Sequence, residues 1–260
     1  MLRYHKGHPV KKRSIVILVL LLCFLVIAGA AQVLTVFVQA PVPSGTVPSP
    51  TSSLPVLGSP GAPGGTADMI AEQIAGSVDY QDPAVKNFVA AHTRSTGSGN
   101  TIAQVSDLWE AIHARWRYVP DPATTNQFHP AGDTIRNGLQ GNCLDYAILN
   151  AAVIRSLGGT VRIVSAYNPQ GEGHAYTEVY AGDSLTGIMA VGDYLAARYN
   201  ATTIYWHTTT GPDGSTQYWL NLDWQAPYPG GPFFADNGTY YASSLTGTGL
   251  RYTDSGDPVR

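Results

Sequence analysis

The sequence predicts an α+β fold for residues 68–260, because helical patterns come first along this region and strand patterns follow them. Apolar residues recur at helical spacing over residues 67–76 and 105–112, and a third helix begins at or just after Cys143 and ends at Gly158-Gly159. Residues rich in strand formers then cover 161–165, 174–180, 203–210 and 215–224, with a short helix expected over 192–199. The last two strands flank Gly211-Pro212-Asp213-Gly214 and are expected to form a hairpin.

The net charge of −3 conceals two regions of opposite sign. The first 13 residues carry +5, residues 14–67 carry no charged side chain, and the rest of the chain has ten basic against 18 acidic residues, a net −8. An acidic body lacks the basic face that phosphate backbones require, so nucleic acid is excluded as a partner. With only two cysteines in 260 residues, a disulfide-stapled fold is excluded as well.

The charge pattern also predicts the organisation of the N-terminal region. Residues 1–13 are predicted to be a cytoplasmic tail and residues 14–39 a transmembrane signal anchor, since an uncharged apolar run as a helix spans about 36 Å against a bilayer core of about 30 Å. Residues 40–67, rich in Pro, Gly and Ser, are predicted to be a linker, and residues 68–260 an extracytoplasmic domain. The alternative is a signal peptide that is cleaved at Ala28-Gly29-Ala30. In both interpretations residues 68–260 are exported.

Cys143 is the one cysteine outside the predicted membrane segment, so it has no partner for a disulfide within its own domain. A thiol at the start of a helix meets unpaired N–H groups and the positive end of the helix dipole, which favour the thiolate and can hold an oxyanion. A buried structural thiol is the alternative interpretation. The position at a helix N-terminus favours a nucleophile.

A cysteine nucleophile needs a base and a group that orients the base. His174 follows Gly171-Glu172-Gly173 and opens a predicted strand, where a substrate could reach its ring. Asp223 stands between Leu222 and Trp224 in the middle of a predicted strand, so its carboxylate is expected to be partly buried and to need a partner. Of the other body histidines, His207 is a weak candidate, and structural or solvated roles suffice for the remaining three: His92, His113 and His129.

Four blocks in this order resemble the transglutaminase-like superfamily: 141–149 (GNCLDYAIL), 155–164 (RSLGGTVRIV), 174–180 (HAYTEVY) and 219–223 (WLNLD). The resemblance covers roughly residues 105–223 and implies a papain-like α+β fold with the nucleophile on a helix and the base and its orienting carboxylate on neighbouring strands. Carried over by position, it implies Cys143 as nucleophile, His174 as base and Asp223 as the orienting residue.

The chain departs from the family pattern at several points. Tyr176 stands where tryptophan is commoner, and residues 181–217 look like an insertion near the site that acts as a lid or shapes the pocket. The oxyanion donor is left open among Gln140, Trp116 and Tyr118. Asp145 is expected to face away from the core and to stabilise the helix N-terminus.

The sequence therefore predicts a membrane-anchored, extracytoplasmic thiol enzyme that acts on amide or peptide bonds through a thioacyl intermediate, with hydrolysis favoured. Acyl transfer to an amine, as in a protein-glutamine transglutaminase, is one alternative. A non-catalytic cell-surface binding module is the other, supported by four tryptophans expected near the cleft: Trp116, Trp206, Trp219 and Trp224. The expected partner is a protein, peptide or cell-wall polymer substrate. No cofactor is expected, and no residue cluster has metal-ligand spacing.

Overall fold

The computed structural model describes residues 72–97, 101–121, 129–168, 170, 172–234, 239–246 and 249–253. Within this described part, no helix combines the length and the apolar character needed to cross a membrane. The anchor predicted over 14–39 and the linker predicted over 40–67 lie outside the described residues, so both stay predictions.

Among the described residues, the elements follow the predicted order in outline, since four of the five numbered helices precede the strands of the main sheet. The helices are α1 (Pro83–His92), α2 (Ile102–His113), α3 (Ala131–Arg136), α4 (Cys143–Ser156) and α5 (Leu185–Tyr199), and residues 72–77 are also helical. The strands are β1 (Arg117–Tyr118), β2 (Gln140–Gly141), β3 (Val161–Tyr167), β4 (Gly173–Gly182), β5 (Trp206–Thr210), β6 (Thr216–Asn221), β7 (Thr239–Thr246) and β8 (Gly249–Thr253). The α+β prediction is confirmed.

The main sheet is antiparallel throughout and has the strand order β5-β6-β4-β3-β7-β8, while β1 and β2 form a separate parallel pair. Helix α4 packs on β3 and β4, and the Thr177 hydroxyl of β4 donates to the Ala147 carbonyl of α4 at 2.6 Å. The sheet order places β4 next to β6. The start of β4 and the end of β6 therefore reach the same region, at the N-terminal end of α4.

Helix α4 is the centre of the core. Every residue from Cys143 to Ile154 is buried, so the helix is surrounded on all sides rather than packed along one stripe. It begins at an asparagine N-cap and ends where Gly158 adopts a φ of 86°, a left-handed conformation that glycine accepts without steric cost. The predicted helix from Cys143 to Gly158-Gly159 is confirmed.

The segment 181–217 contains a longer helix than the sequence indicates. The prediction of 192–199 is too short, because α5 begins at Leu185, where the Ser184 hydroxyl accepts from the Gly187 N–H at 3.1 Å. Buried Ile188 and Leu195, seven residues apart on one face, offset the low helix propensity of the two glycines in this helix, Gly187 and Gly192.

The predicted hairpin is confirmed, although its second strand ends earlier than predicted. Strand β6 stops at Asn221. The side-chain oxygen of Asn221 accepts from the Asp223 N–H at 2.9 Å, so this N–H is satisfied locally and not by a neighbouring strand. The expectation that Asp223 lies in mid-strand is therefore wrong. Asp223 lies two residues beyond the strand, where its side chain can turn toward the start of β4.

Candidate active site

The first turn of α4 holds Cys143 at the first helical position. The side-chain oxygen of Asn142 accepts from the N–H groups of Leu144 at 2.8 Å and Asp145 at 3.1 Å, and Asp145 accepts from the Asn142 N–H at 2.9 Å. This reciprocal pair is a capping box, in which the N-cap and the third helical residue satisfy each other's backbone donors. The Cys143 N–H has no acceptor among the described residues, so this amide stays available at the positive end of the helix.

The structure brings the other two predicted residues together. His174 is the second residue of β4, and its Nε2 lies 2.8 Å and 2.9 Å from the two carboxylate oxygens of Asp223. Both side chains are almost fully buried. A buried carboxylate beside a histidine ring holds the ring in one orientation and stabilises its protonated form.

Cys143 is the third member of the row. Its side chain interacts with the His174 ring and contributes to the raised pKa of that ring. Because Nε2 faces Asp223, Nδ1 is the ring nitrogen left for the thiol. Burial acts to lower the pKa of His174, but the charge of Asp223 and the hydrogen bonds to Asp223 and Cys143 outweigh it and raise the pKa from 6.5 to about 10. The imidazole is thus held in its charged form, which suits a partner thiolate.

Aromatic rings close over the His174 ring. Phe234 lies 4.8 Å from it and Trp224 lies 6.5 Å from it, between ring centroids. Trp224 is itself stacked on Tyr118 at 5.2 Å, and its carbonyl accepts from His113 at 3.0 Å. The covering rings therefore come from the segment that follows Asp223.

The segment 181–217 has a different place. Arg198 at the end of α5 donates to Asp107 at 2.7 Å and to Glu110 at 2.8 Å, both on α2. Among the described residues, the ring contacts of His174 come from positions 176, 224 and 234. Segment 181–217 is thus held against α2 by these ion pairs, and the contacts do not support the expectation that it covers the site as a lid.

The three candidate oxyanion donors differ in their surroundings. The side-chain oxygen of Gln140 accepts from the Arg117 guanidinium, with Nε at 3.1 Å. Tyr118 is stacked against Trp224. Trp116 packs edge-on against Tyr146 of the first turns of α4, at 5.0 Å between centroids, and its buried indole N–H has no acceptor among the described residues. Of the three, Trp116 offers a buried donor that lacks a partner among the described residues.

Asp145 is only partly as predicted. It does stabilise the N-terminus of α4, but the expectation that it faces away from the core is wrong, since only 1% of it is exposed. The reason is that residue 141 is a glycine, and a Cβ there would overlap the Asp145 carboxylate. His129, for which a solvated or structural role was expected, bonds to Asp145 with its Nδ1 at 2.9 Å.

Sequence reasoning also missed a buried charge cluster on the sheet. Glu178 of β4 binds Arg162 of β3 with Nε at 2.6 Å and His207 of β5 with Nδ1 at 2.5 Å. Burial acts to raise the pKa of Glu178, yet Arg162 and His207 outweigh it and hold that pKa below its ordinary value of 4.5. The alternation of residues 174, 176 and 178 along one strand was the available signal. In the described part of the chain, no group of three or more His, Cys, Asp or Glu side chains could hold a metal ion.

Comparison with known proteins bears on this geometry. Residues 87–187 match the profile of the transglutaminase-like superfamily, and this span includes Cys143 and His174. The resemblance seen in the motifs is therefore confirmed as a match to the transglutaminase-like superfamily over residues 87–187.

Among solved structures, one similar chain is described as a candidate cysteine protease from Cytophaga hutchinsonii. The two share 17% sequence identity with a TM-score of 0.35, over 66% of this chain and 56% of that one. This chain therefore spans a little over half the length of that structure. A comparison with curated protein sequences finds no match.

Proposed function

We propose that this protein is a cysteine enzyme that hydrolyses amide or peptide bonds, with Cys143 as nucleophile, His174 as base and Asp223 as the orienting residue. One observation carries the proposal: the ring of the buried His174 lies 2.8 Å from the Asp223 carboxylate and also interacts with the Cys143 side chain, so that thiol, imidazole and carboxylate form a row. The match to the transglutaminase-like superfamily over residues 87–187 supports a cysteine-type enzyme in a broader sense.

The geometry accounts for each proton in the reaction. In the resting site His174 already holds the proton of Cys143 as an imidazolium beside the thiolate, and the thiolate sulfur attacks the carbonyl carbon, which converts the carbonyl oxygen into an oxyanion. The Cys143 N–H stabilises that oxyanion, with the Trp116 indole N–H as a second donor. The amine leaves with the proton from His174, and a thioester remains on Cys143. His174 then takes a proton from water, whose oxygen attacks the thioester and releases the acid.

Asp223 maintains the charge balance during these steps. His174 is an imidazolium after it takes the proton of Cys143 or of water and a neutral ring after it protonates the amine, and the carboxylate 2.8 Å away stabilises the cation without taking the proton. Because burial removes water from this pair, the interaction is stronger than between exposed groups. We propose hydrolysis ahead of acyl transfer because water needs no binding site of its own.

The binding-module alternative loses part of its support in the structure. Trp219 donates its indole N–H to Thr209 at 2.8 Å and lies under the Arg162 guanidinium at 4.3 Å, so its face is already occupied. Trp206 packs edge-on against Tyr218. Of the four tryptophans, Trp224 contacts His174, and Trp116 approaches the first turns of α4 through Tyr146.

We further propose that the enzyme is anchored in the membrane with its catalytic domain outside the cytoplasm, where proteins, peptides or cell-wall polymers are its substrates. The division of charge between the two ends of the chain supports this orientation. Protease added to intact cells should remove the body of the full-length chain and leave the tail. A body that becomes accessible only after lysis would contradict the orientation.

The catalytic proposal is tested with full-length protein in a Cys23→Ser background, so that Cys143 is the remaining thiol. Iodoacetamide at neutral pH should alkylate this protein at Cys143, and a quenched-fluorescent peptide library should be cleaved. Cys143→Ala should abolish cleavage. Full cleavage by Cys143→Ala, or a thiol that resists iodoacetamide, would contradict the enzyme assignment.

A second assay on the same protein distinguishes hydrolysis from acyl transfer. A glutamine peptide incubated with a labelled amine reports acyl transfer as label incorporated and hydrolysis as free acid. We expect free acid as the main product. Predominant incorporation of the amine would replace the hydrolase assignment with a transferase one on the same catalytic residues.

A further inference from the structure

All four hydrogen-bonding groups of Asn142 are engaged, which goes beyond what a helix cap requires. Its side-chain oxygen caps the helix, and its N–H donates to the Asp145 carboxylate at 2.9 Å. Its side-chain amide donates to Asp121 at 2.9 Å, and its carbonyl accepts from the Tyr146 N–H at 3.2 Å. Asn142 is therefore held from several directions at once.

This has a direct consequence for the nucleophile. The Asn142 carbonyl and the Cys143 N–H belong to one peptide plane, and across a trans peptide bond they point in opposite directions. Fixing the carbonyl on Tyr146 therefore also fixes the direction of the Cys143 N–H. That N–H is the backbone donor available to the oxyanion.

The residues that hold Asn142 are themselves held from outside α4. Asp145 is 1% exposed, and its second carboxylate oxygen faces Nδ1 of His129, whose side chain is 40% exposed. Burial raises the pKa of Asp145, while the Asn142 amide and His129 act against that rise. The histidine thus supplies a partner that a carboxylate buried at this point requires.

We propose that His129, Asp145 and Asp121 are positioning residues that aim the Cys143 amide at the oxyanion of the reaction. The inference rests on the proposed function and deepens it, because it assigns the geometry of the oxyanion donor to side chains outside the Cys143–His174–Asp223 row. Asp121 accepts a hydrogen bond directly from the Asn142 side chain, whereas His129 acts on Asn142 through Asp145. These three residues touch no reacting atom.

The inference separates two reactions of the same thiol. Hydrolysis of p-nitrophenyl acetate passes through a tetrahedral oxyanion, whereas alkylation by iodoacetamide displaces iodide and forms no oxyanion. A residue that positions the oxyanion donor should affect the first reaction and not the second. A residue with only a structural role would disturb the helix N-terminus and slow both.

The experiment measures kcat and KM for p-nitrophenyl acetate and the iodoacetamide alkylation rate in full-length protein with Cys23→Ser. For His129→Ala we expect kcat to fall about tenfold, with KM and the alkylation rate each within about twofold of the parent. His129→Gln keeps a donor toward Asp145 and should recover most of kcat. The matched control is Asp133→Asn, an exposed carboxylate of α3 paired with Arg136, which should change none of the three quantities.

Asp145→Asn and Asp121→Ala extend the test to the other two residues, with the same split expected. If Asp145→Asn fails to fold, the partly exposed His129 and Asp121 still decide the result. Added imidazole offers a further check, because His129 borders an open cleft of about 260 Å³ next to Gln140 and Gly141. Recovery of kcat in His129→Ala by imidazole, relative to wild type, would support the inference.

The outcomes distinguish this inference from the proposed function. If Cys143→Ala hydrolyses the ester as fast as the parent, the proposed function itself fails. If Cys143→Ala is inactive and His129→Ala turns over like the parent, only the positioning role fails. A parallel fall of kcat and alkylation in His129→Ala, without recovery in His129→Gln, would also overturn the positioning role.

Discussion

The Nε2 atom of His174 lies within 3 Å of both carboxylate oxygens of Asp223, at 2.8 Å and 2.9 Å, although the two residues are 49 positions apart in sequence. The contact exists because β4 and β6 are neighbours in the sheet and β6 ends just before Asp223. The buried carboxylate of Asp223 makes His174 a strong base toward Cys143, so removing that carboxylate should lower catalytic activity.

Asp223→Asn should lower kcat/KM for peptide hydrolysis roughly a hundredfold or more, because the imidazolium loses its counter-charge and the ring its preferred tautomer. The pKa of His174 should fall from about 10 in the same variant, as measured by NMR titration of histidine-labelled protein. Asp213→Asn, in the exposed turn of the hairpin, is the control. An unchanged His174 pKa in Asp223→Asn would contradict this account.

Stability should fall as the pH rises through the alkaline range. The folded-state pKa of His174, about 10, lies above its ordinary value of 6.5, so between these values the folded protein holds a proton that the unfolded chain has released. The contribution of His174 to the free energy of unfolding is thus complete below pH 6.5 and lost as the pH rises through about 10, with a size on the order of a few kcal/mol.

Urea unfolding of Cys143→Ser and of Cys143→Ser/His174→Gln across this pH range isolates that contribution, because every other titrating group is common to both proteins. The difference between their free energies of unfolding should shrink with rising pH. A difference that is the same at pH 6.5 and pH 10 would show that His174 does not hold an extra proton in the folded state.

Glu178→Gln should destabilise the fold by about 3–5 kcal/mol, because Arg162 would be left in the interior without its counter-charge. The effect is measured as the free energy of unfolding in urea. Asp183→Asn, an exposed carboxylate nearby in sequence, should change stability by no more than about 0.5 kcal/mol. Equal effects of the two substitutions would mean that the buried cluster does not hold β3, β4 and β5 together.

Gly141→Ala should lower kcat for p-nitrophenyl acetate about as much as Asp145→Asn, roughly tenfold, because the new Cβ would displace the Asp145 carboxylate. Gly192→Ala is the matched control. Its Cβ would meet open space on α5, so activity should be unchanged and the free energy of unfolding should rise by about 0.5–1 kcal/mol. Full activity of Gly141→Ala would show that this close approach is not needed.

Local patterns in the sequence predict much of the fold. The cap at Asn142 and the glycines after α4 mark both ends of that helix, and the alternation of β4 marks a strand, because capping and periodicity act over a few residues. Helices α1 and α3 were missed. Helix α1 carries a signal in Asp82-Pro83, an N-cap followed by proline. Helix α3 is only six residues long, which is too short for an apolar repeat at i, i+3, i+4 and i+7.

The sequence by itself determined the α+β order, the resemblance to the transglutaminase-like superfamily, and the three residues proposed for the reaction, since each depends on motifs that are short and local. The tertiary structure alone decided which of them touch and what surrounds them. The contacts of His129 with Asp145, of Glu178 with Arg162 and His207, and of Phe234 with His174 join residues 16 to 60 positions apart. No periodicity reports such distances, because they follow from how the strands and α4 pack, and a side chain's partner is set by that packing rather than by its neighbours in sequence.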